Sequence, residues 1–347
     1  MKRGVTLKQI AEATGVSVPT VSQILNRRPG NFSSEKTKRK VFEAAKRMQY
    51  RQEYADLVRR GDPTNTVAIV CTYDGSSIVD TLTMQLLVCF DEMGFSAYVI
   101  QTDGTEECFL HKVKELLVRG VERFVFMNPV RASLAKNADA CFAEVIEMIE
   151  KCNRTYVMYG GGKRRVVQDF VSAVEETLNF FHSEGRDNFR MVAGVSPDSQ
   201  RIIGLRKYLK DMPFEEIQKR YLVPLDPRKY SDPDSIIAYG ERLTEELLEA
   251  DPKINALYYM SDLFVLGAVR YLMKKKIAIG KDIALAGFNN MPAVRSFIYP
   301  ISSAQHDIAA LAKHLSEESG RRDDVDILVK PLIFIRRASD PEYRDLY

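Results

Sequence analysis

Gly160-Gly161-Gly162-Lys163-Arg164-Arg165 sets three glycines ahead of three cations, the residue types of a loop that holds phosphate. The spacing does not suit that chemistry. No Gly-x-x-x-x-Gly-Lys-Ser/Thr string is present, and no Gly-x-Gly-x-x-Gly follows the first strand-like run of the larger segment. A flexible basic turn is the simpler reading. His111, His182, His306 and His314 lack metal-ligand spacing and read as solvated or lightly packed rings. No Gly-x-Ser-x-Gly elbow offers a serine nucleophile. Glu175-Glu176, Glu215-Glu216 and Glu245-Glu246 read as helix surface. Cys71, Cys89, Cys108, Cys141 and Cys152 are odd in number and without Cys-x-x-Cys spacing, which fits reduced, buried thiols. No catalytic residue, metal site or cofactor is expected.

The charge distribution says more. The 347 residues carry a net charge of only +3. Residues 1–61 hold 14 Lys/Arg against 5 Asp/Glu, and the remaining 286 hold 36 against 42. A small basic head on a large acidic body implies an anionic partner for the head. No run of about 18 apolar residues exists to span a membrane. The opening Met1-Lys2-Arg3-Gly4-Val5-Thr6 leads into polar sequence, so a cytosolic chain is expected.

The head divides into three short helices. Thr6-Leu7-Lys8-Gln9 reads as a capping box, and Leu7, Ile10 and Ala11 follow at helical spacing. Gly15 can end that helix in the left-handed conformation. Ser17 can cap a second helix with Pro19 in its first turn and Val21, Ile24 and Leu25 as its apolar stripe. Ser34 can cap a third, through Val41, Ala44, Ala45 and Met48. Such an arrangement is a helix-turn-helix, although a plain helical bundle would show the same periodicity.

The string Val5-Thr6-Leu7-Lys8-Gln9-Ile10-Ala11-Glu12-Ala13-Thr14-Gly15-Val16-Ser17-Val18-Pro19-Thr20-Val21-Ser22-Gln23-Ile24-Leu25-Asn26 closely resembles the head of LacI/GalR-family transcription factors. Ser34 to Val41, continuing through Met48-Gln49-Tyr50, resembles the third helix of that family. The resemblance implies that Val18, Pro19 and Gln23 face base edges in the major groove. Gln23 can pair with adenine through both amide atoms, and Val18 can touch a thymine methyl. Thr6, Ser17, Thr20, Ser22, Asn26 and Thr37 match phosphate-facing positions, with Leu7 and Tyr50 completing the expected DNA-contact set. Residues 50–61 resemble the family's minor-groove hinge. Arg59 occupies the position of the wedging leucine, and Leu57 and Val58 lie just before it. A charged linker is the plainer reading of that stretch.

Beyond Asp62-Pro63-Thr64-Asn65, apolar runs alternate with amphipathic stretches. Val67 to Cys71, Ala97 to Ile100, Phe124 to Met127, Arg190 to Gly194, Ala256 to Met260 and Ile283 to Gly287 read as strands, with helices such as Thr83 to Met93 and Phe109 to Leu117 between. That alternation implies parallel sheets covered by helices, and two lobes for this length. The family resemblance continues in Ser196 to Leu205, in Ser261-Asp262-Leu263-Phe264-Val265-Leu266-Gly267 and in Gly287-Phe288-Asn289-Asn290, with Gln305 beyond. It implies an effector cleft with Arg201 and Asp262 as main contacts, and Tyr230, Tyr73, Ser76, Asn128, Asp169 and Gln305 as further candidates. Two departures stand out: Gly160 where many sugar-binding relatives have aspartate, and Phe170 where the family has asparagine.

The expected fold is therefore an all-α helix-turn-helix head (1–50) and a hinge (51–65) on an α/β, two-lobe, periplasmic-binding-protein-like body with parallel sheets (66–336). Three crossovers join the lobes. The N-lobe is placed at 66–161 and 291–319 and the C-lobe at 162–290 and 320–336, with a tail at 337–347. The resemblance implies a homodimeric DNA-binding regulator, a repressor by the commoner family outcome. It would read a palindromic operator and respond to a sugar-like small molecule. A ligand-binding protein without specific DNA function, or a sugar-active enzyme, would share much of the same sequence.

Overall fold

The computed structural model describes residues 5–25, 33–48, 50, 64–72, 77–131, 134–194, 199–210, 212–226, 229–230, 232–336 and 340. Asn26, Leu57, Val58, Arg59, Tyr73 and Ser76 lie outside the described residues, as do positions 51–63 of the expected hinge and nearly all of the tail.

The head folds as α1 (Leu7–Thr14), α2 (Val18–Leu25) and α3 (Glu35–Arg47). The capping box forms: the Thr6 amide donates to Gln9 Oε1 at 2.8 Å, and the Gln9 amide donates to Thr6 Oγ1 at 3.4 Å. Gly15 ends α1 at φ 65°, which lets the chain turn sharply into α2. Ser17 Oγ accepts from the Thr20 amide at the start of α2, and Ser34 Oγ accepts from the Thr37 amide at the start of α3. Ile10, Ala11, Val21, Ile24, Val41, Ala44 and Ala45 meet as one small core.

From Thr66 the chain alternates strands and helices: β1 (Thr66–Thr72), α4 (Ser77–Glu92), β2 (Ser96–Thr102), α5 (Glu106–Val118), β3 (Arg123–Met127), α6 (Ala138–Lys151), β4 (Thr155–Tyr159) and β5 (Arg164–Gln168). Then come α7 (Phe170–Ser183), β6 (Phe189–Ala193), α8 (Gln200–Tyr208), α9 (Phe214–Arg220), β7 (Leu222–Pro224), α10 (Pro233–Ala250), β8 (Ala256–Tyr259), α11 (Asp262–Lys275), β9 (Ala284–Phe288), α12 (Pro292–Arg295) and β10 (Ile301–Gln305). The last elements are α13 (Ile308–Glu318), β11 (Val325–Val329) and β12 (Leu332–Phe334).

Two six-stranded sheets result, ordered β11-β5-β4-β3-β1-β2 and β12-β10-β9-β8-β6-β7. Every pairing is parallel except that of β10 with β12. Each sheet has helices on both faces, so a central strand is buried on both sides. In β1, Val67, Ile69 and Cys71 enter one core, whereas Ala68 and Val70 enter the other. This explains the uninterrupted apolar run. The helix expected from Thr83 starts six residues earlier, at Ser77.

The chain passes between lobes three times, as expected, but the boundaries need correction. β5, assigned to the C-lobe, belongs to the first sheet, and the chain crosses at Asp169. β10, assigned to the N-lobe, belongs to the second sheet, with the return crossing at His306-Asp307. β11 also lies in the first sheet, and the last crossing is at Lys330-Pro331. Gly160–Gly162 and Gly320 are strong turn signals, but those turns stay within the first lobe. The crossings themselves are segments of one or two residues. At two of them a helix cap does the turning: Asp169 Oδ1 accepts from the Ser172 amide, and Asp307 Oδ1 accepts from the Ala310 amide. The 160–163 turn joins parallel β4 and β5, with Gly160 and Gly162 both at positive φ.

Thr64 and Asn65, expected as the end of the hinge, are anchored to the body. Thr64 Oγ1 donates to the Gly120 carbonyl at 2.8 Å, and the Ser96 amide donates to the Asn65 carbonyl at 2.8 Å. No disulfide forms among the five cysteines; Cys71 is buried, Cys89, Cys108 and Cys141 are half-buried and Cys152 is exposed, which corrects the expectation of uniformly buried thiols.

Candidate nucleic-acid interface and effector cleft

The face of α2 turned away from the head core carries Val18, Pro19 and Gln23. All three are exposed, whereas Val21 and Ile24 are buried. Four-residue spacing puts Pro19 and Gln23 on one helix face. Val18 is 40% exposed, an apolar side chain the head core does not use. Thr6 and Ser17 are exposed, Thr20 and Thr37 are half-buried near helix starts, and Ser22 is half-buried in the middle of α2. Ser17 shares a hydroxyl contact with Thr20 at 2.8 Å, and Ser34 one with Thr37 at 2.9 Å. Leu7 and Tyr50 pack on the head core, and the Tyr50 amide donates to the Ala45 carbonyl. Lys8, Lys36, Arg39, Lys40, Lys46 and Arg47 add exposed positive charge.

Where the lobes meet, Phe170, Arg201, Phe288, His306 and Tyr159 come together. Arg201, on the first turn of α8, lays its guanidinium over the Phe170 ring at 4.0 Å and near Phe288 at 5.3 Å. Its Nε is buried without a hydrogen-bond partner. His306 is buried edge-on to Phe288 and Phe170, with ring centroids at 5.0 and 5.7 Å. Its Nδ1 lies 3.4 Å from the Tyr159 hydroxyl across the lobe boundary. Burial, with the nearby Arg201 charge, pushes the His306 pKa down to about 3, so the ring is neutral. Burial pushes Tyr159 up to about 12, opposed by Arg201. The expectation of a solvated or lightly packed ring is thus wrong for His306. His182 does fit it, being exposed and 2.7 Å from Asp187.

Asp262 is fully buried at the start of α11. Its Oδ1 accepts from Ser303 Oγ at 2.8 Å, and its Oδ2 accepts from the Met291 amide at 2.7 Å. Burial nonetheless raises its pKa to about 7 against those two donors. Gly287 makes room for it, since a Cβ there would sit 2.2 Å from Asp262 Oδ1. Asn290 follows in left-handed conformation and donates from Nδ2 to Gln305 Oε1 at 2.9 Å. A cavity of about 570 Å³ opens in the first lobe beside Asn128 and Tyr159, with Phe126, Phe142, Met158 and Lys163 in its wall. Its size suits a small molecule.

A family profile described as "Bacterial regulatory proteins, lacI family" matches residues 6–53, and one described as "Periplasmic binding protein-like domain" matches residues 178–318. The head thus matches the LacI-family profile, and the larger part of the body matches the periplasmic-binding-protein-like one. Along nearly its whole length it is similar to the HTH-type transcriptional regulator DegA of Bacillus subtilis, at 21% identity covering 97% of this chain and 98% of that one. It is also similar to catabolite control protein A of Priestia megaterium, at 21% identity covering 93% and 94%. Among solved structures, the Lac repressor dimer bound to operator and the anti-inducer ONPF shares the fold, with TM-score 0.71 and 19% identity over 96% of this chain and 99% of that one. The CelR–cellobiose complex does so at TM-score 0.61 and 17% identity, over 96% and 100%.

The expected cleft residues separate into groups. Asp169 turns its carboxylate onto the first turn of α7, accepting from the Ser172 amide and hydroxyl. Asp262 and Gln305 hold the loop after β9. Tyr230 stacks on Tyr239 at 5.9 Å and edge-on to Phe264 at 5.5 Å, within the second lobe's core. Asn128 is exposed at the end of β3, at φ 50°. Tyr159, Phe288, Ser303 and His306 were not named as cleft residues. Phe170 carried a signal, because an aromatic ring there replaces a polar family position.

Proposed function

We propose that this chain is a LacI-family regulator and reads a palindromic operator as a homodimer, each head presenting Val18, Pro19 and Gln23 to one half-site. Thr6, Leu7, Ser17, Thr20, Ser22, Thr37 and Tyr50 set its register against the phosphates, with Asn26 beyond α2. A small molecule of sugar type bound between the lobes changes operator affinity, and by linkage the operator changes ligand affinity by the same factor. Leu57, Val58 and Arg59 connect the two functions. Tyr73, Ser76, Asn128, Asp169, Tyr230, Asp262 and Gln305 remain candidates around the Arg201 cleft. Repression is the expected outcome.

The exposed Val18-Pro19-Gln23 face above the buried Val21 and Ile24 carries the DNA half of this reading. Two-fold protein symmetry then maps onto a two-fold site. Selection from a randomised DNA library tests it. Wild type is expected to return a palindrome. Gln23→Ala is expected to relax one base position in each half, losing on the order of tenfold on the parent site. The same selected motif from both proteins would remove Gln23 from the base-reading set.

A further inference from the structure

This inference deepens the cleft reading above and rests on it. Among the described residues, the groups that act on the Arg201 charge are Tyr258 and Tyr159 and not a carboxylate, and its buried Nε has no hydrogen-bond partner. The described neighbours do not return negative charge. Phe170 and Phe288 offer ring faces, His306 is neutral, and burial holds Tyr159 and Tyr258 protonated. Asp262, the acid paired with Arg201 by family resemblance, engages its two oxygens with Ser303 and Met291. Ring faces attract a guanidinium by only about 0.5–2 kcal/mol. Withdrawing one from water costs several kcal/mol. What remains is a planar donor fork held against aromatic walls, the geometry that receives a carboxylate or phosphate through two parallel hydrogen bonds.

We infer that the effector of this cleft carries an anionic oxygen group, a carboxylate or a phosphate ester, received by Arg201. A sugar acid or sugar phosphate fits that demand, and a neutral sugar leaves the charge unanswered.

Thermal unfolding of the full chain tests this with gluconate, glucose 6-phosphate, acetate, inorganic phosphate and glucose, at ionic strength matched with chloride. The first two separate carboxylate from phosphate, and acetate and inorganic phosphate probe the fork alone. At least one anion should raise the midpoint by several degrees, and glucose should not. Arg201→Met should abolish the rise while leaving the ligand-free midpoint equal or higher, because a half-buried charge with no carboxylate partner among the described residues is gone. Arg201→Lys, which keeps charge but not the fork, should retain part of the response. An anion effect that survives Arg201→Met overturns the inference, as does no anion effect at all. Stabilisation by glucose that requires Arg201 also overturns it, yet leaves the cleft standing as the effector site. Failure of the cleft reading itself has another signature: anion binding through Arg201 that leaves operator affinity unchanged.

Discussion

In the head, the residues proposed to touch bases lie within six positions of one helix, exposed above a core of seven small or aliphatic side chains. In the cleft, Tyr159, Phe170, Arg201, Phe288 and His306 arrive from distant parts of the chain and are largely buried among one another. The head thus presents its chemistry outward on a local scaffold. The cleft holds its chemistry inward, where each side chain's orientation depends on packing between two lobes. A substitution in one region should therefore leave the other measurable, and this separation can be broken experimentally.

The largest effect is expected at the head core. Ile10→Ala removes a fully buried side chain that α1 contributes to that core, at a cost of about 2–5 kcal/mol. A head this small has little stability to lose. Operator binding should disappear while the body's thermal transition stays in place. A shifted body transition would show that head and body are not independent.

Next comes the body. A Cβ on Gly267 would lie 2.1 Å from the Ile237 carbonyl oxygen, where α10 and α11 pack backbone to backbone. Gly267→Ala should lower body stability by about 1–3 kcal/mol, read from urea unfolding. The head's intrinsic DNA preference, read by selection at low temperature, should be unchanged.

A pH experiment sharpens the cleft side. His306, with its pKa pushed down to about 3, contributes stability above pH 6.5 that is lost as pH falls towards 3. Asp262, pushed up to about 7, acts in the opposite sense: its contribution is full below pH 3.8 and lost as pH rises to 7. Between pH 4 and 6.5 the two oppose each other. Asp262→Asn should uncover the histidine slope, so that stability rises by about 2 kcal/mol from pH 4.5 to 6.5 relative to wild type. A profile parallel to wild type would remove Asp262 from this balance.

The same contrast explains what was legible in the sequence. Capping at Thr6, Ser17 and Ser34, the Gly15 turn and the apolar spacing of the head are local signals, and the helices follow them closely. In the body, the family-like glycines have a physical reason. Gly204 lets α8 approach α7, where a Cβ would meet Val174 Cβ at 2.9 Å, and Gly287 leaves space for Asp262. Those motifs fixed which residues stand near the cleft but not where they point. Asp262 could be matched by its neighbours in sequence, yet its oxygens are aimed by Ser303, some forty residues away. Lobe boundaries failed for a related reason: the crossings, at Asp169, His306-Asp307 and Lys330-Pro331, are one or two residues without the glycines that mark turns inside a lobe.

The exposed face of α2 is expected to make this chain a sequence-reading DNA-binding protein. Fluorescence anisotropy of the full chain on a selected palindrome and on scrambled DNA, across a series of salt concentrations, checks this. The expected result is tighter binding to the palindrome at every salt concentration, with affinity on both DNAs falling steeply as salt rises because phosphate contacts release counterions. Equal affinity for the two DNAs, or binding indifferent to salt, would contradict it.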